Sequence, residues 1–356
     1  MDKTTAATIE DVARQAGVSI STVSNVLNGR ETRMRAQTLL RVQQAIAELS
    51  FKPNQSARRL KTGHTPMVGL LVPSIANPFF GALARWVEDA AIQRGYGVVL
   101  CNTQRSAERE QEYAQAFMAQ GVQGVILGSS LQAQEHLTPL IQRGLAVVSF
   151  DRTAQHAELP MDYVSLDNHR AGMMAAAHLL ALGHRHIAYV SAPLRSLNRN
   201  ARLNGARAAC SSGGARIDVH IGDVAAGQAD MEMAELGREA ALALHGQGCA
   251  ATGYVAMNDM LAIGLMAGLR QCGLRIPEGV SVIGIDDLFL GQYVSPALST
   301  VRQPMQEMAT AAVERVLARM KNIGEPAHEL VFVPQLVVRE STTAFAAVNP
   351  SRSQRG

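Results

Sequence analysis

The chain has 356 residues, 47% hydrophobic and 18% charged, which describes a globular protein with a large core rather than a disordered chain. No apolar run approaches the ~18 residues of a membrane span, and Met1-Asp2-Lys3-Thr4-Thr5 lacks the apolar stretch of a secretory signal. A cytoplasmic location is therefore expected. Cys101, Cys210, Cys249 and Cys272 are scattered without CxxC spacing, so neither a zinc ribbon nor a disulfide framework is indicated. The net charge of +3 is unevenly spread: residues 1–66 hold ten Lys/Arg against five Asp/Glu, the rest 23 against 25. A basic head on a slightly acidic body is the footprint of a polyanion partner.

Thr8 and Asp11 have capping-box spacing and predict a first helix with Ile9, Val12, Ala13 and Ala16 on one face. Gly17 supplies the positive φ of a turn, and Ser19 is placed to cap a second helix. Val23, Val26 and Leu27 of that helix face inward, leaving Ile20, Ser21, Ser24 and Asn25 outside. A third helix, Arg35 to Leu49, closes the small core with Leu39, Val42, Ile46 and Leu49, after an arginine-bearing loop from Gly29 to Met34. This is a helix-turn-helix, whose second helix presents its outer face to base edges in the major groove. Ile20 suits a thymine methyl, Ser21 donates or accepts, and Asn25 matches adenine. Next comes Pro53 to Gly63, containing Arg58-Arg59-Leu60-Lys61. A helix this short does not persist alone in water, and an apolar residue among cations suits a wedge between base steps.

With these motifs, and Ala47-Glu48-Leu49-Ser50-Phe51-Lys52-Pro53-Asn54, the chain resembles the lac-repressor (LacI/GalR) family of bacterial transcription regulators over nearly its whole length. The resemblance implies a fold of two parts. An all-α helix-turn-helix head (1–52) and a hinge helix with linker (53–66) precede a two-lobed α/β effector domain (67–345). That domain is like the periplasmic binding proteins, with parallel doubly wound sheets. A disordered tail (346–356) is expected to follow. The implied DNA-contacting residues are Thr8, Ser19, Ile20, Ser21, Thr22, Ser24, Asn25, Asn28, Asn54, Ala57, Arg58, Leu60 and Lys61. The implied partner is a pseudo-palindromic double-stranded DNA operator, bound by a homodimer whose paired Leu60 side chains wedge into the minor groove. Asn25 departs from the Arg or His frequent there, so operator preference does not carry over. The tail lacks leucine heptads and gives no support for a coiled-coil tetramer.

Beyond Pro66, apolar runs at Met67–Val72, Gly97–Cys101, Gly124–Leu127, Ala146–Phe150, His186–Val190 and Val280–Ile285 alternate with amphipathic stretches. This is the pattern of βαβ units in two lobes, which the resemblance joins by three crossovers. Ligands in such sheets sit beyond the carboxyl ends of strands, where Asn77, Phe79, Phe80, Asp151, Arg152, Arg202, Asn258, Asp286 and Gln303 fall. Aromatic faces with amides, carboxylates and guanidinium groups are what a carbohydrate requires. The set resembles a ribose-binding constellation, so a small carbohydrate effector is implied, a ribose-like pentose first, with a purine, a sugar acid or a protein co-regulator as the alternatives that the family also offers. Asp167 either joins the cleft, as the resemblance places it, or starts the following helix. Where an aromatic often stacks on the sugar, this chain has Asp223-Val224-Ala225-Ala226. Asp287 is expected to cap a turn, and Trp86 to be core or dimer contact. His184 and His186 have no third metal ligand nearby in sequence. No GxGxxG, P-loop, HExxH or GxSxG motif occurs, so neither an enzyme nor a cofactor is expected.

Overall fold

The computed structural model describes residues 7–27, 34–51, 65–128, 134–150, 159–194, 196–223 and 232–345, in two compact units, Met1–Thr65 and Pro66–Gly356. In the first unit Thr8 caps α1 (Ile9–Ala16): Asp11 N donates to Thr8 Oγ1 at 3.3 Å, and Thr8 N donates to the Asp11 carboxylate at 2.9 Å. Gly17 turns the chain at φ 60°. Then follow α2 (Ile20–Leu27) and α3 (Ala36–Glu48). Their core is Val12, Ala13, Ala16, Val23, Val42, Ala45 and Phe51, with Ile9, Val26, Leu27, Ile46 and Leu49 packed against it. Leu39, expected in that stripe, is only half-buried. Ala45, one turn beyond Val42, takes the buried place instead.

The second unit begins with β1 (Met67–Val72), α4 (Pro78–Ile92), β2 (Gly97–Asn102), α5 (Ala107–Ala119), β3 (Gly124–Leu127), α6 (Thr138–Gln142), β4 (Ala146–Phe150) and β5 (Asp162–Leu166). These form a first lobe. The chain then builds a second lobe from α7 (Asn168–Ala181), β6 (His186–Ser191), α8 (Leu197–Ser212), β7 (Arg216–Ile221), α9 (Met233–Gly246), β8 (Gly253–Ala256), α10 (Asp259–Gln271), β9 (Ser281–Asp286) and β10 (Ser299–Arg302). It returns to the first lobe for α11 (Met305–Lys321) and β11 (Glu329–Phe332), then crosses again for β12 (Gln335–Val337). The two sheets run β11-β5-β4-β3-β1-β2 and β12-β10-β9-β8-β6-β7. Every ladder is parallel except β10 with β12. The chain thus crosses between lobes after β5, after β10 and after β11, in accord with the expected doubly wound pair. No helix among the described residues is long and apolar enough to cross a membrane.

The six predicted apolar runs are all strands, within a residue at each end. Of the six other strands, β8 and β10 are the short segments preceding Asn258 and Gln303, and four are not continuous apolar runs. β5 carries Asp162 and Ser165 inside the core, β7 alternates charged with apolar residues, and β11 and β12 are short and largely exposed.

Gly172 and Gly205 let α7 and α8 cross closely. A Cβ on Gly172 would lie 1.8 Å from Arg202 O, and one on Gly205 would lie 1.9 Å from His169 O. The obstacle in each case is backbone, which cannot swing aside. Gly172→Ala is therefore expected to push α8 outward and destabilise the fold by about 1–3 kcal/mol or more. A urea unfolding midpoint equal to that of the parent would show that the helices have room to spare.

Candidate functional site

The carboxyl ends of β1, β8 and β9 face a cleft between the lobes. Asn77, Phe79, Phe80 and Arg105 line it from the first lobe. Ser196, Asn198, Arg199, Arg202, Met257, Asn258 and Asp286 line it from the second.

Asn77 and Asn258 occupy matching places, each the N-cap of the helix after its strand. Asn77 Oδ1 accepts from Phe79 N at 3.1 Å, and Asn258 Oδ1 accepts from Leu261 N at 2.9 Å. The cap uses the amide oxygen and leaves the NH2 group as a donor. Phe79 and Phe80 meet edge to face at 5.1 Å between centroids. Both are core residues and cleft-lining residues at once, 6% exposed each.

Arg202 is held from three sides. Its Nε donates to Asn168 Oδ1 at 2.7 Å, its Nη1 donates to Met257 O at 2.8 Å, and Nη1 lies 3.5 Å from Asp286 Oδ1. Gln303 is one layer behind, donating to Asp286 Oδ1 at 2.6 Å. Asp286 and Asp287 have φ of 136° and 61°, positions that cost a non-glycine residue about 1–3 kcal/mol each and cluster at ligand sites. The turn aims Asp286 at the cleft and leaves Asp287 paired with Arg302, at 2.6 Å, and with Arg339. Beneath it, fully buried Asp259 accepts from Thr300 Oγ1 at 2.6 Å and Leu288 N at 2.8 Å. Burial pushes the Asp259 carboxyl up to about 6, against the pull of those two bonds.

The sequence-predicted residues Asn77, Phe79, Phe80, Arg202, Asn258 and Asp286 thus come together, with Gln303 as support. Asp167 caps α7, one of its two expected roles, by accepting from Arg170 N at 2.9 Å. Asp151, Arg152 and Val224 to Ala226 lie outside the described residues. Five lining residues were missed: Arg105, Ser196, Asn198, Arg199 and Met257. Arg105 follows β2 much as Asn77 follows β1, so the strand-end rule applied to every strand would have found it. Two successive left-handed residues, Gln104 at φ 52° and Arg105 at φ 56°, turn it there. Ser196, Asn198 and Arg199 share the first turns of α8 with Arg202, and Ser196 caps that helix.

In the first unit, Ser19 Oγ accepts from Thr22 N at 3.2 Å and also bonds the Ser21 and Thr22 hydroxyls. Ile20 (47% exposed), Ser21 and Asn25 are exposed, Thr22 and Ser24 half-buried, and Val23 fully buried. The second helix thus presents the predicted outer face. Asn28, Asn54, Ala57, Arg58, Leu60 and Lys61 lie outside the described residues.

Residues 8–54 match the family of bacterial regulatory proteins of the lacI type, and residues 176–342 match a periplasmic binding protein-like domain. Over 341 residues the chain is 32% identical to the HTH-type transcriptional regulator DegA of Bacillus subtilis, covering 94% of this chain and 98% of DegA. The chain belongs to the lacI family of bacterial regulatory proteins. This LacI-family regulator is also 34% identical, over 338 residues, to the ribose operon repressor of Haemophilus influenzae, covering 94% of this chain and 98% of that protein. Among solved structures it is similar to the lac repressor dimer bound to operator and the anti-inducer ONPF. That likeness has a TM-score of 0.83 at 26% identity, over 96% of this chain and all of the other. As a LacI-family member it is a DNA-binding transcriptional regulator with a helix-turn-helix head and a periplasmic-binding-protein-like body.

Proposed function

We propose that this regulator is a cytoplasmic, dimeric repressor whose hold on a pseudo-palindromic operator is set by a small carbohydrate in the cleft. A ribose-like pentose is the first candidate. The observation that carries the reading is the cleft itself. Two aromatic rings, two asparagine caps and the Arg202–Asp286 pair converge between two lobes. Apolar ring faces meet the carbon skeleton of a sugar, and charged partners make the stronger bonds to its hydroxyls. The likeness to a ribose operon repressor supports the same class.

The heads read two half-sites through Ile20, Ser21, Ser24 and Asn25. Asn28, Asn54, Ala57, Arg58 and Lys61 add contacts near phosphate, and paired Leu60 wedges kink the centre. Effector binding shifts the angle between lobes, and with it the spacing of the hinges, to the extent that it favours one arrangement. A second reading is a sugar acid. Three arginines, Arg105, Arg199 and Arg202, line the cleft beside one aspartate among the described residues, and guanidinium groups recognise carboxylates in bidentate fashion.

The test is calorimetric titration of the full-length protein with pentoses, hexoses, sugar acids and purines. The hits are then added to a complex with a duplex selected from a random pool. A pentose that binds and shifts operator affinity supports the first reading, and binding by sugar acids alone installs the second. A selected duplex without dyad symmetry overturns the paired-head arrangement.

A further inference from the structure

Three side chains with metal-binding atoms meet on the second lobe, at the end of its sheet opposite the cleft. His186 opens β6, Asp218 lies in β7, and Cys249 lies between α9 and β8. One ligand atom of each lies within 4.8 Å of the other two. His186 Nε2 bonds Asp218 Oδ2 at 2.7 Å, while Arg216 holds Oδ1 at 2.9 Å and Oδ2 at 3.0 Å, fixing the plane of the carboxylate. The His186 and Asp218 side chains are 20% and 32% exposed and Cys249 is half-buried, so an ion has a way in from solvent. The neighbouring His184 is turned elsewhere, bonded to Thr252 Oγ1 at 2.9 Å and to Thr343 O. Sequence spacing offered His186 no third ligand. The β6–β7 ladder and the turn into β8 supply two.

We propose that His186, Asp218 and Cys249 bind a zinc-class divalent cation. An imidazole nitrogen, a thiolate and a carboxylate oxygen are donors that zinc accepts, with water in the fourth position. The sulfur donor disfavours magnesium and calcium, which take oxygen ligands. On binding, the Cys249 thiol gives its proton to solvent and the sulfur bonds the metal. His186 binds through the Nε2 lone pair with its proton on Nδ1, and Asp218 Oδ2 turns from Nε2 to the ion. The two anionic ligands balance the ion's two positive charges, and affinity rises with pH because a proton is released. Arg216 then serves as the outer partner that orients a ligating carboxylate.

The ion does not touch the effector, since the cleft lies at the carboxyl ends of the strands and this site near the amino ends of β6 and β8. It ties edge strand β7, whose sheet neighbour is β6, to the turn entering β8.

The test uses tag-free full-length protein titrated with Co2+, with Zn2+ as competitor. The expected result is a thiolate-to-cobalt absorption band that saturates near about one ion per chain and is displaced by Zn2+. Cys249→Ser removes the band, Cys272→Ser keeps it, and His186→Gln and Asp218→Asn weaken binding roughly 10-fold or more. Absence of the band, or its persistence in Cys249→Ser, overturns the proposal. Should Cys249→Ser fail to fold, alkylation of the parent decides: Zn2+ shields Cys249 from iodoacetamide if the site exists, and has no effect on its labelling if it does not.

Discussion

Arg202→Ala is expected to weaken effector binding by about 2–5 kcal/mol, roughly 30-fold to several thousand-fold. Arg202 is 8% exposed, and its guanidinium reaches Asn168, the Met257 carbonyl and Asp286 at once. Truncation removes a donor to the ligand and the Arg202 side of its pair with Asp286, which keeps its hydrogen bond from Gln303. Arg202→Lys keeps the charge but loses the planar fork that spans three acceptors, so it recovers only part of the affinity. Calorimetry with the effector found for the parent reads both variants. An unchanged dissociation constant in a folded Arg202→Ala protein would remove this residue from the site. Operator affinity without effector should stay near that of the parent, because the base-reading face lies in the other unit.

Asp162→Ala is expected to cost about 3–5 kcal/mol of folding stability, out of the 5–15 kcal/mol typical of a domain. Asp162 is fully buried at the start of β5, and accepts from Arg315 Nε at 2.8 Å, from His328 N at 2.9 Å and from Arg319. Arg319, 1% exposed, also donates to Pro160 O at 3.0 Å and Pro326 O at 3.1 Å. This knot fastens α11 and the segment before β11 to a first lobe that the chain left more than a hundred residues earlier. Without the carboxylate, two cations remain where water reaches them poorly.

Burial alone pushes the Asp162 carboxyl up, but the Arg319, His328 and Arg315 hydrogen bonds outweigh it and hold the group below the usual 3.8. A carboxyl lowered on folding stabilises the native state fully above its unfolded value and loses that contribution as pH falls through the folded one. The gap in urea midpoint between parent and Asp162→Ala should therefore be widest near neutral pH and narrow below about pH 4. A gap that is constant down to pH 2 would mean that charge pairing is not what the residue supplies.

The features legible beforehand share a short range. The Thr8–Asp11 capping box, the Gly17 turn, the inward Val23 and the six apolar strand runs are each decided within a few residues by hydrogen-bond geometry and side-chain period. The strand-end rule then located Asn77, Asn258 and Asp286, because parallel sheets place every such end on one side. Asp167 shows the limit of that reasoning. It stands at a crossover where a cap and a ligand contact look alike in sequence, and it does cap its helix, as the cleft residues Asn77 and Asn258 cap theirs. Arg199 shows another, since nothing local distinguishes a cleft arginine from a solvated one.

By itself, then, the sequence determined the helix-turn-helix, the alternation that makes two doubly wound lobes, and most of the side chains that meet in the cleft. The tertiary structure alone decided what those groups do to one another. Arg202 finds Asn168 and Met257 across 34 and 55 residues of chain, Asp162 finds Arg319 across 157, and His186 finds Asp218 across 32. Such pairings depend on how closely helices and strands pack, as at Gly172, where the missing Cβ admits the Arg202 backbone. Local preference sets which elements form, but distance in space between residues far apart in sequence exists only once the whole core has closed.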